Sequence, residues 1–120
     1  MSFLPIIRLL NDSPEVRAVL GDDLRVYEDV APLGTEPPYA VFQAIGGAAI
    51  NHLDEPANFD EVMYQIIIYD TDAKLAYQIK DLVLSILEHR SYILNPMINS
   101  FETNTKLYGR GFDANWHLPR

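Results

Sequence analysis

The sequence predicts an α+β fold, an α/β sandwich in which a mainly antiparallel sheet of about four or five strands carries one long helix packed across it, with short helices at the N-terminus. Three observations point there. Only residues 72–90 keep apolar side chains at helical spacing for several turns. Four segments, 39–45, 62–69, 97–108 and 112–118, are β-branched and aromatic in the manner of strands. Finally, 120 residues with 48% apolar and 22% charged positions and no cysteine suffice to bury a core without staples, in one domain over residues 1–120.

Phe3, Ile6, Ile7 and Leu10 form one stripe of a short amphipathic helix, with Pro5 in its first turn. Asn11 and Asp12 break it. Ser13, Pro14 and Glu15 then read as an N-cap, a proline at the first helical position and an acid at the positive helix end, with Gly21 closing a second helix over 14–20. Residues 25–27 form a brief strand, and Pro32, Pro37 and Pro38 make 31–38 a loop. Residues 39–45 (YAVFQAI) read as a strand stopped by Gly46 and Gly47. Residues 62–69 (VMYQIIIY) are apolar on both faces and predict a central strand. Between these two strands, 46–61 is a long connection carrying Ile50, Leu53 and Phe59 among acids.

Asp70, Thr71 and Asp72 offer caps for the long helix, whose stripe is Leu75, Ile79, Leu82, Val83, Ile86 and Leu87, ending at His89 or Arg90. Asn95 and Pro96 mark a turn. Two last strands, 97–108 and 112–118, are then joined by a hairpin turn at Gly109, Arg110 and Gly111. The chain shows no repeat, low-complexity segment or interdomain linker.

The net charge of -8 argues against a surface that grips phosphate backbones. Its distribution is uneven. Residues 12–61 hold eleven acids against Arg17 and Arg25, whereas six acids and six bases cancel over 62–120. Such a half is either solvated loop or a face that repels a polyanion or meets a basic partner. The lack of cysteine excludes a disulfide framework, a thiol nucleophile, an iron-sulfur cluster and a Cys-ligated zinc site. No run of about 18 apolar residues occurs, and an N-terminal run interrupted by Pro5 and followed by Arg8 is unlike a signal peptide, so the chain is expected to work where it is made.

His52, His89 and His117 have no metal-binding spacing, and Asp70-Thr71-Asp72 lacks the glycine and the glutamate that complete a calcium loop, so a helix cap explains it. Phosphate-binding and nucleophile-elbow motifs are absent. The adjacent acids Asp22-Asp23, Glu28-Asp29, Asp54-Glu55 and Asp60-Glu61 read as hydrated loop pairs rather than a glycosidase-type dyad. Phe101, Tyr108, Phe112 and Trp116, without interleaved bases, read as core or protein interface rather than a stacking platform for nucleotides. No cofactor, metal or catalytic group is expected.

The arrangement says more than any single motif. The short helical N-terminus, Arg25-Val26-Tyr27, the segment from Val30-Ala31-Pro32 to Pro37-Pro38-Tyr39-Ala40-Val41, the strand YQIIIY and the helix DAKLAYQIKDLVLSIL together resemble the tail completion or tail terminator proteins of long-tailed bacteriophages. The resemblance covers residues 3–87 and runs more loosely through the last strands. It implies a non-enzymatic virion protein that forms a six-membered ring on the head-proximal end of the tail tube, stops tube polymerisation and offers the head-tail connector a docking surface. Its partners would be copies of itself, the tail tube protein and the connector or neck protein, with DNA passing through unbound. On that reading some of Asp54, Glu55, Asp60 and Glu61 face the lumen or an adjoining ring surface, and Ile50, Leu53 and Phe59 anchor the long connection on a neighbour or on the tube. Two other functions fit the same composition: a connector or neck ring subunit, and a cytosolic acidic module that inhibits a basic DNA-handling enzyme. A small enzyme using a carboxylate pair is a further alternative.

Overall fold

The computed structural model describes residues 4–50 and 59–119, and its elements follow the expected order. Helices α1 (Ile6–Asn11) and α2 (Pro14–Leu20) precede strands β1 (Val26–Glu28), β2 (Tyr39–Ile50) and β3 (Phe59–Asp70); helix α3 (Ala73–Leu87) then leads to β4 (Tyr92–Glu102) and β5 (Leu107–Pro119). The strands form one mixed sheet in the order β1-β2-β3-β5-β4, with β1 parallel to β2 and every other pair antiparallel.

Local chemistry sets the helices. Ser13 Oγ accepts from the Val16 amide at 3.3 Å, Pro14 opens α2, and Gly21 leaves it at φ 88°, a left-handed value that suits glycine. Asp72 caps α3 by accepting from the Lys74 and Leu75 amides at 2.9 and 3.4 Å. The buried line of α3 runs through Ala76, Ile79, Val83 and Leu87, with Leu75, Leu82 and Ile86 on its flanks. In α1 the buried residues are Ile6 and Leu10, one turn apart, while Ile7 is exposed. Phe3 lies outside the described residues.

Strand register builds the core under α3. Phe42, Ile66 and Phe112 stand side by side on β2, β3 and β5, flanked by Ala40 beside Ile68 and by Tyr64 beside Ala114. All seven are essentially buried, together with Val16 and Leu20 of α2. Tyr64 sets its ring against Phe112 and Trp116 at centroid distances of 6.4 and 6.2 Å. Its hydroxyl lies 2.8 Å from Ser91 Oγ, which itself donates to the Leu87 carbonyl at 2.8 Å, so the tyrosine is the donor. Burial pushes the Tyr64 phenol up to about 12.

Four sequence expectations need correction. Gly46 and Gly47 do not stop β2: the register shifts by a bulge between Ala44 and Gly46, and the strand continues to Ile50. A Cβ on Gly47 would lie 2.8 Å from the Glu61 carbonyl oxygen, so glycine here allows close backbone approach. The connection therefore shortens to residues 51–58, and the strand starts earlier, at Phe59. Gly109 and Gly111 likewise lie inside β5, where a Cβ on Gly111 would strike the Ile66 carbonyl; the turn is at 103–106, with Lys106 at φ 61°. Asn95 and Pro96 form no turn but lie in β4 between two register shifts, tolerated because β4 is an edge strand. Finally, only one face of β3 is covered by helices: Tyr64, Ile66 and Ile68 are buried there, whereas Gln65, Ile67 and Tyr69 are half-buried and Met63 is exposed on the other.

Candidate functional site

The central strands outrun the rest of the fold. β1 pairs only with 40–42 of β2, and β4 reaches no further along β5 than Asn115. Beyond them, Gly47, Val62 and Trp116, then Ala48, Glu61 and His117, then Ala49, Asp60 and Leu118, and last Ile50, Phe59 and Pro119 align across β2, β3 and β5. This three-stranded arm helps draw the molecule out to 52 × 29 × 25 Å, with a radius of gyration of 15.2 Å. A compact chain of this length would have about 14 Å.

The arm brings several of the residues singled out in the sequence to one end of the molecule. Ile50 and Phe59 are the terminal pair between β2 and β3. Leu53, Asp54, Glu55 and His52 lie outside the described residues. Asp60 and Glu61 are consecutive in β3, so they point to opposite faces of the ribbon. Glu61 shares the open side of the sheet with Met63 and Gln65 and accepts a hydrogen bond from Asn115 Nδ2. Asp60 falls on the side that carries the helices further along the strand.

The open side of the sheet is the second feature. Its strand positions include Tyr39, Val41, Ile67 and Tyr69 in the body and Glu61, Asp113 and Glu102 as acids, and among the described residues no Lys or Arg occupies a strand position facing it. Tyr39 and Tyr69 pack at 5.4 Å, and both phenols are raised, first by burial and then by the negative charge of Glu102. Tyr39 also lines a cleft of about 480 Å³ walled by the loop after β1 and by Thr105 and Leu107. In that loop the Thr35 amide and hydroxyl both bond to the Pro32 carbonyl, and Gly34 at φ 83° completes a turn that leaves Leu33 fully exposed.

A second cleft, of about 490 Å³, opens where α3 ends and collects Glu88, His89, Arg90, Tyr92, Asn115 and His117. The fold thus brings two histidines to one cleft that are 28 positions apart in the sequence, which spacing alone does not reveal. Among the described residues no group of three or more His, Asp or Glu is placed to hold a metal ion. Three acids of the first half, Asp22, Asp23 and Asp29, are exposed around β1, and Arg25 approaches Asp23 at 3.7 Å.

What sequence reasoning missed is the start of β4, residues 92–96, and the exposure of its apolar side chains. Tyr92, Leu94, Met97 and Phe101 are all exposed on this edge strand. The available signal was the Asn95-Pro96 break inside an apolar run, which marks an edge strand as well as a turn.

The fold has solved counterparts. A chain from the virion of a native gene transfer agent particle superposes with a TM-score of 0.75 at 12% identity, covering 96% of this chain and 92% of the other. No curated protein matches the sequence. The profile of the family described as tail completion protein gp17 matches residues 5–108, which takes in all but the last part of the sheet. By that match the chain belongs to the tail completion protein gp17 family, and it is a structural component of a phage-type tail, not an enzyme.

Proposed function

We propose that this chain, a single domain, assembles as a six-membered ring on the head-proximal end of the tail tube, where it ends tube polymerisation and gives the head-tail connector its docking surface. Membership of the tail completion family carries this reading. The projecting arm supplies a physical means, because a ribbon that leaves the body can reach a neighbouring subunit or the tube without disturbing the core. Ile50, Leu53 and Phe59 at and beyond its last strand pair are the apolar anchors of that contact.

The charge pattern supports the same reading. A ring through which DNA slides must not bind it, and at -8 per chain the assembled ring repels phosphate. Some of Asp54, Glu55, Asp60 and Glu61 are the acids that face the lumen or an adjoining ring surface.

The test is the distribution of tail lengths, seen by negative-stain electron microscopy, in lysates of the producing phage with this gene deleted. Overlong tubes without heads are expected. Tails of normal length that lack heads would move the protein to the connector side of the joint, and normal infectious particles would remove it from the virion.

A further inference from the structure

We propose that adjacent copies of this chain join through opposite edges of the sheet, the β1 side of one subunit against the β4 side of the next. The inference rests on the ring reading and names the surfaces that close the ring. β1 and β4 are the two outer strands, so a contact between them is head-to-tail, the kind that generates closed rings when the rotation per subunit fits.

Exposure favours these edges. Of the ten exposed large apolar side chains among the described residues, four, Tyr92, Leu94, Met97 and Phe101, belong to β4, and Val30, 75% exposed, lies two residues past the end of β1. Exposed apolar side chains gathered on one element mark a protein contact more strongly than the same number scattered over the surface.

Charge selects the pairing. Asp22, Asp23, Glu28 and Asp29 surround β1 with Arg25 as the only base over 21–30, while Arg90, Lys106 and Arg110 flank β4 against Glu102 over 89–110. Glu88 and Asp113, the latter opposite Asn95 of β4, leave the β4 side balanced in charge. Two β1 edges would bring acids together at a repulsive cost, whereas the β4 side offers Arg90, Lys106 and Arg110 to those acids.

The backbone excludes the simpler alternative of strand addition. β1 offers three residues, and β4 is interrupted by register shifts on both sides of Asn95 and by Pro96, whose carbonyl is already taken by Lys80 Nζ at 3.2 Å. Edges blunted in this way do not extend a neighbour's sheet. The contact must therefore be made by side chains, with Val30 meeting the exposed apolar residues of β4, where Tyr92 stands on the open face and Phe101 on the helix side.

Because the chain contains no cysteine, paired cysteines report this contact without background. Particles are assembled in a host supplying the double variant Val30→Cys with Met97→Cys and treated with a short flexible bis-maleimide. The expected product is a ladder of successive multiples of the chain, absent from either single variant. A second pair, Val30→Cys with Tyr92→Cys, guards against an unfavourable register. Dimers from a single variant, crosslinks only to another virion protein, or uncrosslinked chain in intact particles from both pairs would overturn the proposal and leave the ring reading standing. Particles without the chain would overturn both.

Discussion

The helix-covered body and the projecting arm are built from the same three strands, yet different forces hold them. In the body, alternate residues of β3 press against α3 and its neighbours, and Tyr64, Ile66 and Ile68 are almost wholly removed from water. In the arm the same strand continues as Glu61, Asp60 and Phe59 with no edge strand beside the ribbon. Burial sustains the body and the root of the arm, where Val62, Trp116 and Leu118 pack on the core, while backbone pairing extends the ribbon beyond them. The difference separates stability from assembly: changes in the body should read out in unfolding, and changes in the arm should read out in particles.

The largest effect belongs to the body. Phe112→Ala removes a fully buried ring from the row shared with Phe42 and Ile66 and should cost about 3–5 kcal/mol, a deletion plus cavity penalty, measured by urea unfolding. A loss below about 1 kcal/mol would mean that the arm and its pairing carry the fold after all.

Next comes the pH response of Tyr64. Its phenol is raised in the folded state to about 12 from the ordinary 10. Below pH 10 both states hold the proton. Between the two values the unfolded chain gives it up while the folded chain keeps it, so stability falls as pH rises, by on the order of 2 kcal/mol in all. Tyr64→Phe should lose about 1 kcal/mol at neutral pH with the hydrogen bond to Ser91, and then fall less steeply than the parent above pH 10. Parallel pH profiles for the two proteins would show that the phenol is solvated in the native state.

The sequence made the body legible and left the arm hidden, for a physical reason. Caps and apolar spacing are local, and they located α2 and α3 through Ser13, Pro14, Gly21 and Asp72. Glycine in a strand is not local. Gly47 and Gly111 resemble turn residues until the partner strand is known, because what they accommodate is a carbonyl from Glu61 or Ile66 far along the chain. The true turn, 103–106, has no glycine and instead places Lys106 at positive φ, held by the hydrogen bond its amide donates to the Glu102 carbonyl at 2.9 Å. For the same reason the long connection could be noticed as unusual, but not resolved into two paired strands. The candidate anchors Ile50 and Phe59 become neighbours only through that pairing.

A shorter loop sharpens the comparison further. Replacing 51–58 by Asn-Gly joins Ile50 to Phe59 through a two-residue hairpin turn, and the paired arm should tolerate it with a change of about 1 kcal/mol or less in unfolding. Tail capping should nevertheless be lost, read as overlong tubes in lysates carrying the variant. Normal tails would sink the assignment of this end of the arm to a neighbour or the tube.

The smallest effect on folding is the most informative about the ring. If subunits meet through the β1 and β4 edges, the sheet lies along the ring wall, with one face toward the channel and the other outward. Among the described residues the open face has Glu61, Glu102 and Asp113 with His117 and no Lys or Arg at its strand positions, whereas the opposite face carries the helices and Arg110 on β5. A channel for DNA calls for the first of these. Glu61→Lys and Asp60→Lys should each change stability by about 1 kcal/mol or less, since neither acid is in the core and Glu61 loses one hydrogen bond, to Asn115. Only Glu61→Lys should slow DNA release from assembled particles, because alternation along β3 turns Asp60 to the other side. A slower release with Asp60→Lys alone would turn the helical layer toward the channel, and equal slowing by both would mean that DNA passes the tip of the arm instead of its face.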